Sequence, residues 1–461
     1  MKEIIITNPY NGALIDKLER TDADETFAIL ERSYQQHLKG TRLPRYKRIE
    51  ILQKTAAIIE AKAFDLARIA SMEGGKPLMD SRVEIKRAVE GIKVAINEIS
   101  QLTGKEIPMG LTEASTNRMA YTTREPRGVA IAISAFNHPF NLIIHQVIPA
   151  IATGCPALVK PSSATPLSCR NLIDILYEAG LSEEHCRMIL CENNVAEKLV
   201  ADRRISFLTF IGSARVGWHL RSRLAPGATC ALEHGGAAPV IIDKTADMEL
   251  ALPLLVKGGY YHAGQVCVSV QRIYVHESIL DEFCSRMISL VKKLKVGDPL
   301  EEETEVGPLI TPEEVDRVHK WVEEAGRTAS ILCGGKKISN TCYQPTLILN
   351  PPEDSMISQK EIFGPVVAIY SYRESEDAIN RANQLNYSFQ AAVFTKDLEF
   401  AMAAVKKLKA TAVMVNDHTA FRVDWMPFGG NNESGLGTGG IGPTMREMTM
   451  EKLVVIKSAY I

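Results

Sequence analysis

The stretch GGYYHAGQVCVSVQR, residues Gly258–Arg272, carries one cysteine, Cys267, five residues after His262. A thiol there fits three chemistries. It is a small buried hydrophobe, half of a Cys–His hydrolase pair with His262, or a nucleophile for some other reaction. Other residues with chemical potential lie upstream. Glu233 ends ALEHGG, a carboxylate in an apolar setting before two glycines. Burial would lift its pKa toward that of a general base; a capping or salt-bridged glutamate fits the same letters. Asn137, after AISAF, could donate its amide to a developing oxyanion or simply close a turn. Lys160 closes an apolar run and precedes Pro161, Ser162 and Ser163. It could reach ribose hydroxyls or a phosphate, or snorkel at the surface. FIGSARVG places Gly212 and Ser213 after a strand-like run, with Gly217 opening the next helix. Small residues there let backbone approach a phosphate at a helix N-terminus. The full G-x-G-x-x-G fingerprint is missing, so a plain tight turn fits too.

The elements that must position these residues can be read from periodicity. From about Asp22 to Ile99 apolar residues recur at three- and four-residue spacing, the pattern of amphipathic helices. IPMGLTEASTNRMAYTTREPRG is polar, β-prone and turn-rich, and reads as an inserted hairpin. Then short, nearly all-apolar runs alternate with helix-length segments: GVAIAISAF, NLIIHQVIPAIATG, CPALVKPS, ISFLTFIGS and CALEHGGAAPVII. Strands apolar on both faces belong in a covered parallel sheet, and the alternation predicts an α/β doubly wound fold. Ligands bind such sheets beyond the carboxyl ends of their strands. Asn137, Lys160, Ser213 and Glu233 fall at those ends. ALPLLVKGGYYH reads as helix and AVMVND as strand, which predicts a second α/β domain.

Bulk properties narrow the classes. A chain of 461 residues predicts two or three domains. With 53 basic and 55 acidic residues the net charge is −2, which argues against a general nucleic-acid binder. No run of 18 uncharged apolar residues predicts a membrane span, and the N-terminus does not read as a secretory signal. The nine cysteines form no C-x-x-C pair or compact Cys/His array. No metal site is expected, and free thiols fit a reducing cytoplasm.

Taken in order, NPYNG, REPRGVAIAISAFNHPFN, ALVKPSSATPLS, FIGSARVG, LEHGG, GQVC, EIFGPV and MPFGGNNESGLGTGG resemble the aldehyde dehydrogenase superfamily across essentially the whole chain. The lactaldehyde, glyceraldehyde-phosphate and phosphonoacetaldehyde branches look most similar. The resemblance implies Cys267 as nucleophile, Glu233 as general base, and Asn137 with the Cys267 backbone N–H as oxyanion donors. It implies NAD or NADP held by Lys160 and Ser163, by Gly212, Ser213 and Gly217, and by Glu361 and Phe363. It further implies a cofactor domain (1–104 and 124–233), a catalytic domain (234–447), and a bridging element (105–123 and 448–461) that pairs subunits into a homodimer or homotetramer. Where relatives restricted to NAD carry a glutamate three residues after the lysine, this chain has Ser163, so NADP use is expected. His138, Arg422 and Arg87 are expected near the substrate, which predicts a short hydroxylated or anionic aldehyde. A structural salt bridge of Arg422 with Asp424 or Asp417 is the alternative. His234 follows Glu233 where relatives are apolar. Rival readings are a CoA-acylating dehydrogenase, the Cys–His hydrolase, and a non-catalytic protein retaining the fold.

Overall fold

The run GVAIAIS becomes a strand because nothing in it needs water. In the computed structural model, which describes residues 3–40 and 43–461, Val129–Ile133 is almost wholly buried. It lies at the centre of a six-stranded sheet in the order Gly435–Leu436, Thr229–Glu233, Ile205–Ile211, Val129–Ile133, Ala157–Lys160, Cys186–Met188. All its pairings are parallel except that of Gly435–Leu436 with Thr229–Glu233. The chain winds outward from the central strand through Ala157–Lys160 to Cys186–Met188, then returns to the other side at Ile205–Ile211. That reversal is the topological switch point, where a crevice opens beyond the strand ends.

Helix Asn141–Thr153 is buried at every residue, Pro149 included. It packs on the N-terminal helices Arg45–Ala61 and Leu78–Gln101 through Ile51, Leu52, Ile85, Ile92, Ile144 and Val147. Complete burial explains why its sequence is mostly apolar and has no solvent-facing polar stripe.

A second sheet of seven strands runs Ser330–Cys333, Thr346–Leu349, Val366–Tyr372, Val270–His276, Ala238–Ile242, Gln390–Phe394, Ala412–Val415. Helix Met248–Tyr260 leads toward its centre, and a short 3-10 turn, Tyr261–Gly264, then swings the chain into the Cys267 loop. His262 (φ 50°) and Ala263 (φ 53°) are left-handed in that turn, a strained conformation for residues with a Cβ.

The boundary between the two units is not where sequence order draws it. Gly435–Leu436 adds to the first sheet from within the 234–447 segment, with Gly435 opposite Glu233. Helix Ile441–Glu447 inserts Ile441 and Met445 into the first core. Burial of those apolar side chains takes them to the nearest unfilled core, not to the nearest sequence neighbour. Thr449–Lys457 pairs antiparallel with Arg118–Pro126, which in turn pairs with Glu106–Ile107. This third sheet extends to Pro126, past the 105–123 segment.

One buried ion pair ties these layers beneath the crevice. Lys76 pairs with Glu84, both nearly inaccessible. The other Glu84 oxygen accepts the N–H groups of Phe140 and Asn141, at 2.9 and 2.8 Å, at the start of helix Asn141–Thr153. Removing one partner of a buried pair leaves an uncompensated charge and costs about 3–5 kcal/mol. Lys76→Met is therefore expected to lower unfolding free energy by about 3 kcal/mol in urea titration, and Lys76→Met with Glu84→Gln by less. Equal stability of Lys76→Met and wild type would rule out this role.

Candidate active site

The crevice at the switch point is a cleft of about 600 Å³. Among the residues lining it are Asn137, Lys160, Ser163, Gly212, Ser213, Glu233, Cys267, Glu361 and Phe363, together with His138, Arg87 and Arg422. Gly217 does not line it but lies directly behind, where a Cβ would meet His234 Nε2 at 2.0 Å. The fold thus brings together residues spread over more than 300 positions.

Cys267 sits in the loop before Val270–His276, between buried Val266 and Val268 and beside Phe428. Burial pushes its thiol up to about 12, reinforced by the carboxylates of Glu233 and Glu361 and opposed by Arg422. The sulfur is therefore a thiol at neutral pH, and any nucleophilic role would require it to lose that proton. Its backbone N–H donates to no other group among the described residues. Asn137, at the end of the first sheet, donates from Nδ2 to the carbonyl of Gln265 at 2.9 Å. This bond crosses from one sheet to the other. Gln265 is itself clamped by His262, Pro308 and Ile310. One amide hydrogen of Asn137 remains for another acceptor.

Glu233 ends the strand Thr229–Glu233 and lies against bare backbone, since a Cβ at Gly439 would meet its Oε1 at 1.9 Å. Burial raises its carboxyl to about 7, with Arg422 pulling the other way. That is the range in which a carboxylate can both take and return a proton. Glu361 rests in the same manner on Gly235, accepts from the Gly236 N–H at 3.3 Å, and is raised by burial to about 8. Phe363 holds a left-handed backbone (φ 47°) and meets Phe136 edge-on at 5.8 Å across the cleft.

Lys160 is buried at its strand end, where loss of hydration lowers its pKa, and it has no hydrogen-bond acceptor among the described residues. Ser213 precedes helix Ala214–Arg223, whose Gly217 leaves room for the His234 ring. A buried cation lacking an acceptor, a helix start at the switch point and a glycine cradle fit a dinucleotide of ribose and phosphate. His234 donates from Nδ1 to the Glu433 carbonyl at 3.0 Å and packs between Phe210 and Trp218.

The three residues expected near the substrate all line the cleft but divide by chemistry. Arg87 forms a two-pronged pair with Asp424, at 3.1 and 2.9 Å. His138 donates from Nδ1 to the Asn137 carbonyl and faces the Tyr261 hydroxyl at 3.4 Å; burial and nearby cations keep it neutral. It offers a hydrogen bond, not a charge. Arg422 is the exception. Neither Asp424 nor Asp417 forms a salt bridge with it among the described residues, because Asp424 is engaged by Arg87 and His145. Its guanidinium lies 3.5 Å over the Phe428 ring, with a buried Nε that has no partner. Sequence reasoning missed His145, Asn141 and Tyr261. The signal for His145 was available: the one ionisable residue in a mostly apolar helix.

His262 does not pair with Cys267. Both its ring nitrogens are buried without a hydrogen-bond partner, which removes the geometric basis of the Cys–His hydrolase. No cluster of three or more metal-ligating side chains occurs among the described residues, and no helix among them is long and apolar enough to cross a membrane.

A two-unit α/β fold with a dinucleotide crevice and a half-buried thiol sharing the cleft with two carboxylates defines a class of nucleotide-dependent oxidoreductase. The aldehyde dehydrogenase family matches residues 1–454, and the chain belongs to that family. It is 38% identical over 421 residues to a 3-sulfolactaldehyde dehydrogenase of Priestia aryabhattai, covering 91% of this chain and 88% of that one. It is 36% identical over 461 residues to a lactaldehyde dehydrogenase of Methanococcus vannielii, covering 99% and 97%. The glyceraldehyde-3-phosphate dehydrogenase GapN of Methanocaldococcus jannaschii, crystallised with NADP, superposes with a TM-score of 0.94 at 34% identity, covering 99% of this chain and all of that one. Aldehyde dehydrogenase 21 of Physcomitrella patens, crystallised with the product succinate, gives 0.96 at 32%, covering 99% and 95%.

The elevated thiol has a direct consequence. In the ligand-free protein the rate of Cys267 carboxymethylation should rise about tenfold per pH unit between pH 7 and 9, because only the thiolate reacts. Peptide mass spectrometry after timed iodoacetate treatment measures it; a plateau below pH 9 would contradict the burial argument.

Proposed function

We propose that this enzyme oxidises a short hydroxylated or anionic aldehyde to its carboxylic acid, using NADP or NAD. The observation that carries the substrate class is Arg422, a half-buried cation on the cleft wall with no carboxylate salt bridge among the described residues, whose charge acts on both Glu233 and Cys267. A fixed guanidinium beside the reacting sulfur matches a carboxylate, phosphate or sulfonate on the aldehyde. Relatives named for sulfolactaldehyde and lactaldehyde support the same range.

In this reading Cys267 attacks the aldehyde carbon and its thiol proton leaves. Asn137 and the Cys267 N–H donate to the oxygen that becomes negative, and each such donor is worth about 100- to 1000-fold in rate. A nicotinamide cofactor, when bound, would supply the hydride acceptor that oxidation of the aldehyde carbon requires. Lys160 and Ser163 would hold the adenosine ribose, Gly212, Ser213 and Gly217 the pyrophosphate turn, and Glu361 and Phe363 the nicotinamide end. Glu233 then takes a proton from the water that cleaves the resulting thioester on Cys267, which frees the acid and restores the thiol. The presence of Glu233 favours water over CoA as acceptor.

We also read the sheet Arg118–Pro126 with Thr449–Lys457 as a subunit-pairing element of a cytoplasmic homo-oligomer. Met119, Met450, Leu453, Val455 and Ile456 stand exposed on it, and apolar residues clustered on a surface favour association. A monomer in sedimentation analysis would remove this part.

Lactaldehyde, succinate semialdehyde, phosphonoacetaldehyde and benzaldehyde, each with NAD and NADP, test the reading. A small hydroxylated or anionic aldehyde should be preferred, and benzaldehyde preference would reject that class. Ser163→Glu should move cofactor preference toward NAD by placing a carboxylate against a 2′-phosphate; unchanged NADP use rejects the role of Ser163. Because Glu233 acts only when ionised, kcat should rise with pH through about 7 and level off above it. Glu233→Gln should cut steady-state turnover about 100- to 10,000-fold and keep a first-turnover burst. A variant that retains full turnover would dismiss Glu233 as base.

A further inference from the structure

Three side chains behind Arg422 form a line with only one consistent proton arrangement. His145 Nε2 lies 2.7 Å from Asp424 Oδ1, and His145 Nδ1 lies 3.2 Å from Arg422 Nη2. A guanidinium can only donate, so Nδ1 must be the bare, accepting nitrogen; the hydrogen is therefore on Nε2 and points at the carboxylate. A doubly protonated imidazole could not accept from Arg422. Burial agrees, holding His145 down to about 4 and so neutral at physiological pH.

The charge count follows. Asp424 is nearly inaccessible, takes both prongs of Arg87, and also accepts from Asn141 Nδ2 at 3.2 Å. Its charge is matched by Arg87. The imidazole adds none. Arg422 keeps a full positive charge while being fixed on two sides, by Phe428 beneath the guanidinium and by His145 at Nη2. A carboxylate in place of His145 would hold Arg422 equally well and also cancel the charge a substrate needs.

We infer that His145, oriented by Asp424, is a positioning residue for substrate specificity: a neutral acceptor that aims Arg422 at the anionic group of the aldehyde without neutralising it. His145 itself touches neither the aldehyde nor the reacting atoms. The inference rests on the anionic-substrate reading above and adds to it the device that keeps the cation both ordered and available. The anion is matched by chemistry alone: sulfonate, carboxylate and phosphate oxygens all accept from a guanidinium edge.

The test is the ratio of kcat/KM for succinate semialdehyde to that for propanal, an uncharged aldehyde. Arg422→Ala should collapse the ratio by about 100-fold through loss of a charge-assisted contact. His145→Phe, which keeps a ring but no acceptor, should lower it by about 10-fold, the effect of a misaimed binding group. His145→Gln, whose amide can donate to Asp424 and accept from Arg422, should restore it to within about 3-fold of wild type. Protection of Cys267 from iodoacetate by 2-hydroxyethanesulfonate gives a second readout without turnover, and half-protection should need about 10-fold more of the sulfonate in His145→Phe. Should His145→Phe fail to fold, His145→Asn, too short to span both partners, takes its place with the same expectation. If the ratio falls in Arg422→Ala but not in the His145 variants, the positioning role is wrong and the anionic reading stands. If His145→Phe and His145→Gln lower it equally, the two-sided hydrogen bond is wrong. If Arg422→Ala leaves the ratio unchanged, the anionic reading itself fails.

Discussion

Burial in the cleft between two largely parallel sheets governs this site. It lifts the thiol of Cys267 to about 12 and the carboxyls of Glu233 and Glu361 to about 7 and 8. It also leaves the guanidinium of Arg422 with few places to send its field except toward those groups. In water each would keep its ordinary pKa and act independently. Brought into one cleft, the carboxylates oppose ionisation of the thiol while the arginine favours it. The protonation states of the site belong to the set, not to any one member.

The seam between the two sheets holds because polar links cross it where apolar packing cannot. Asn137 reaches the carbonyl of Gln265 from the opposite sheet, and Gly435 returns from the second unit to pair with Glu233. The Lys76–Glu84 pair and the capped start of helix Asn141–Thr153 stabilise the loop that carries Asn137. Membership of the aldehyde dehydrogenase family accounts for the architecture. The polar cluster of Arg87, Asn141, His145, Arg422 and Asp424 is built on charge: one carboxylate, two cations, and a neutral ring between Asp424 and Arg422.

Much of the fold was legible because its signals are local. All-apolar runs such as GVAIAI identify strands covered on both faces, and ADETFAILERSYQQHL spans the helix Ala23–Leu38 from its first residue to its last. Asn137, Lys160 and Glu233 stood out as polar residues at strand ends, a position that is informative before any partner is known. The return of Gly435–Leu436 and helix Ile441–Glu447 to the first core was not legible, because neither segment states which of two cores will bury it.

What the sequence determined alone, then, was the inventory: the periodicities that make two α/β units, and the polar residues set at the ends of apolar strands. Only the tertiary structure decided the pairings. Arg422 and Asp424, two residues apart, look like natural partners, yet Asp424 turns to Arg87, 337 positions away, and leaves Arg422 to the neutral ring of His145. The reason is physical. A carboxylate accepts from whichever donors packing brings within about 3 Å of it, and that distance is set by how helices and loops from distant parts of the chain close over one another, which no local pattern records.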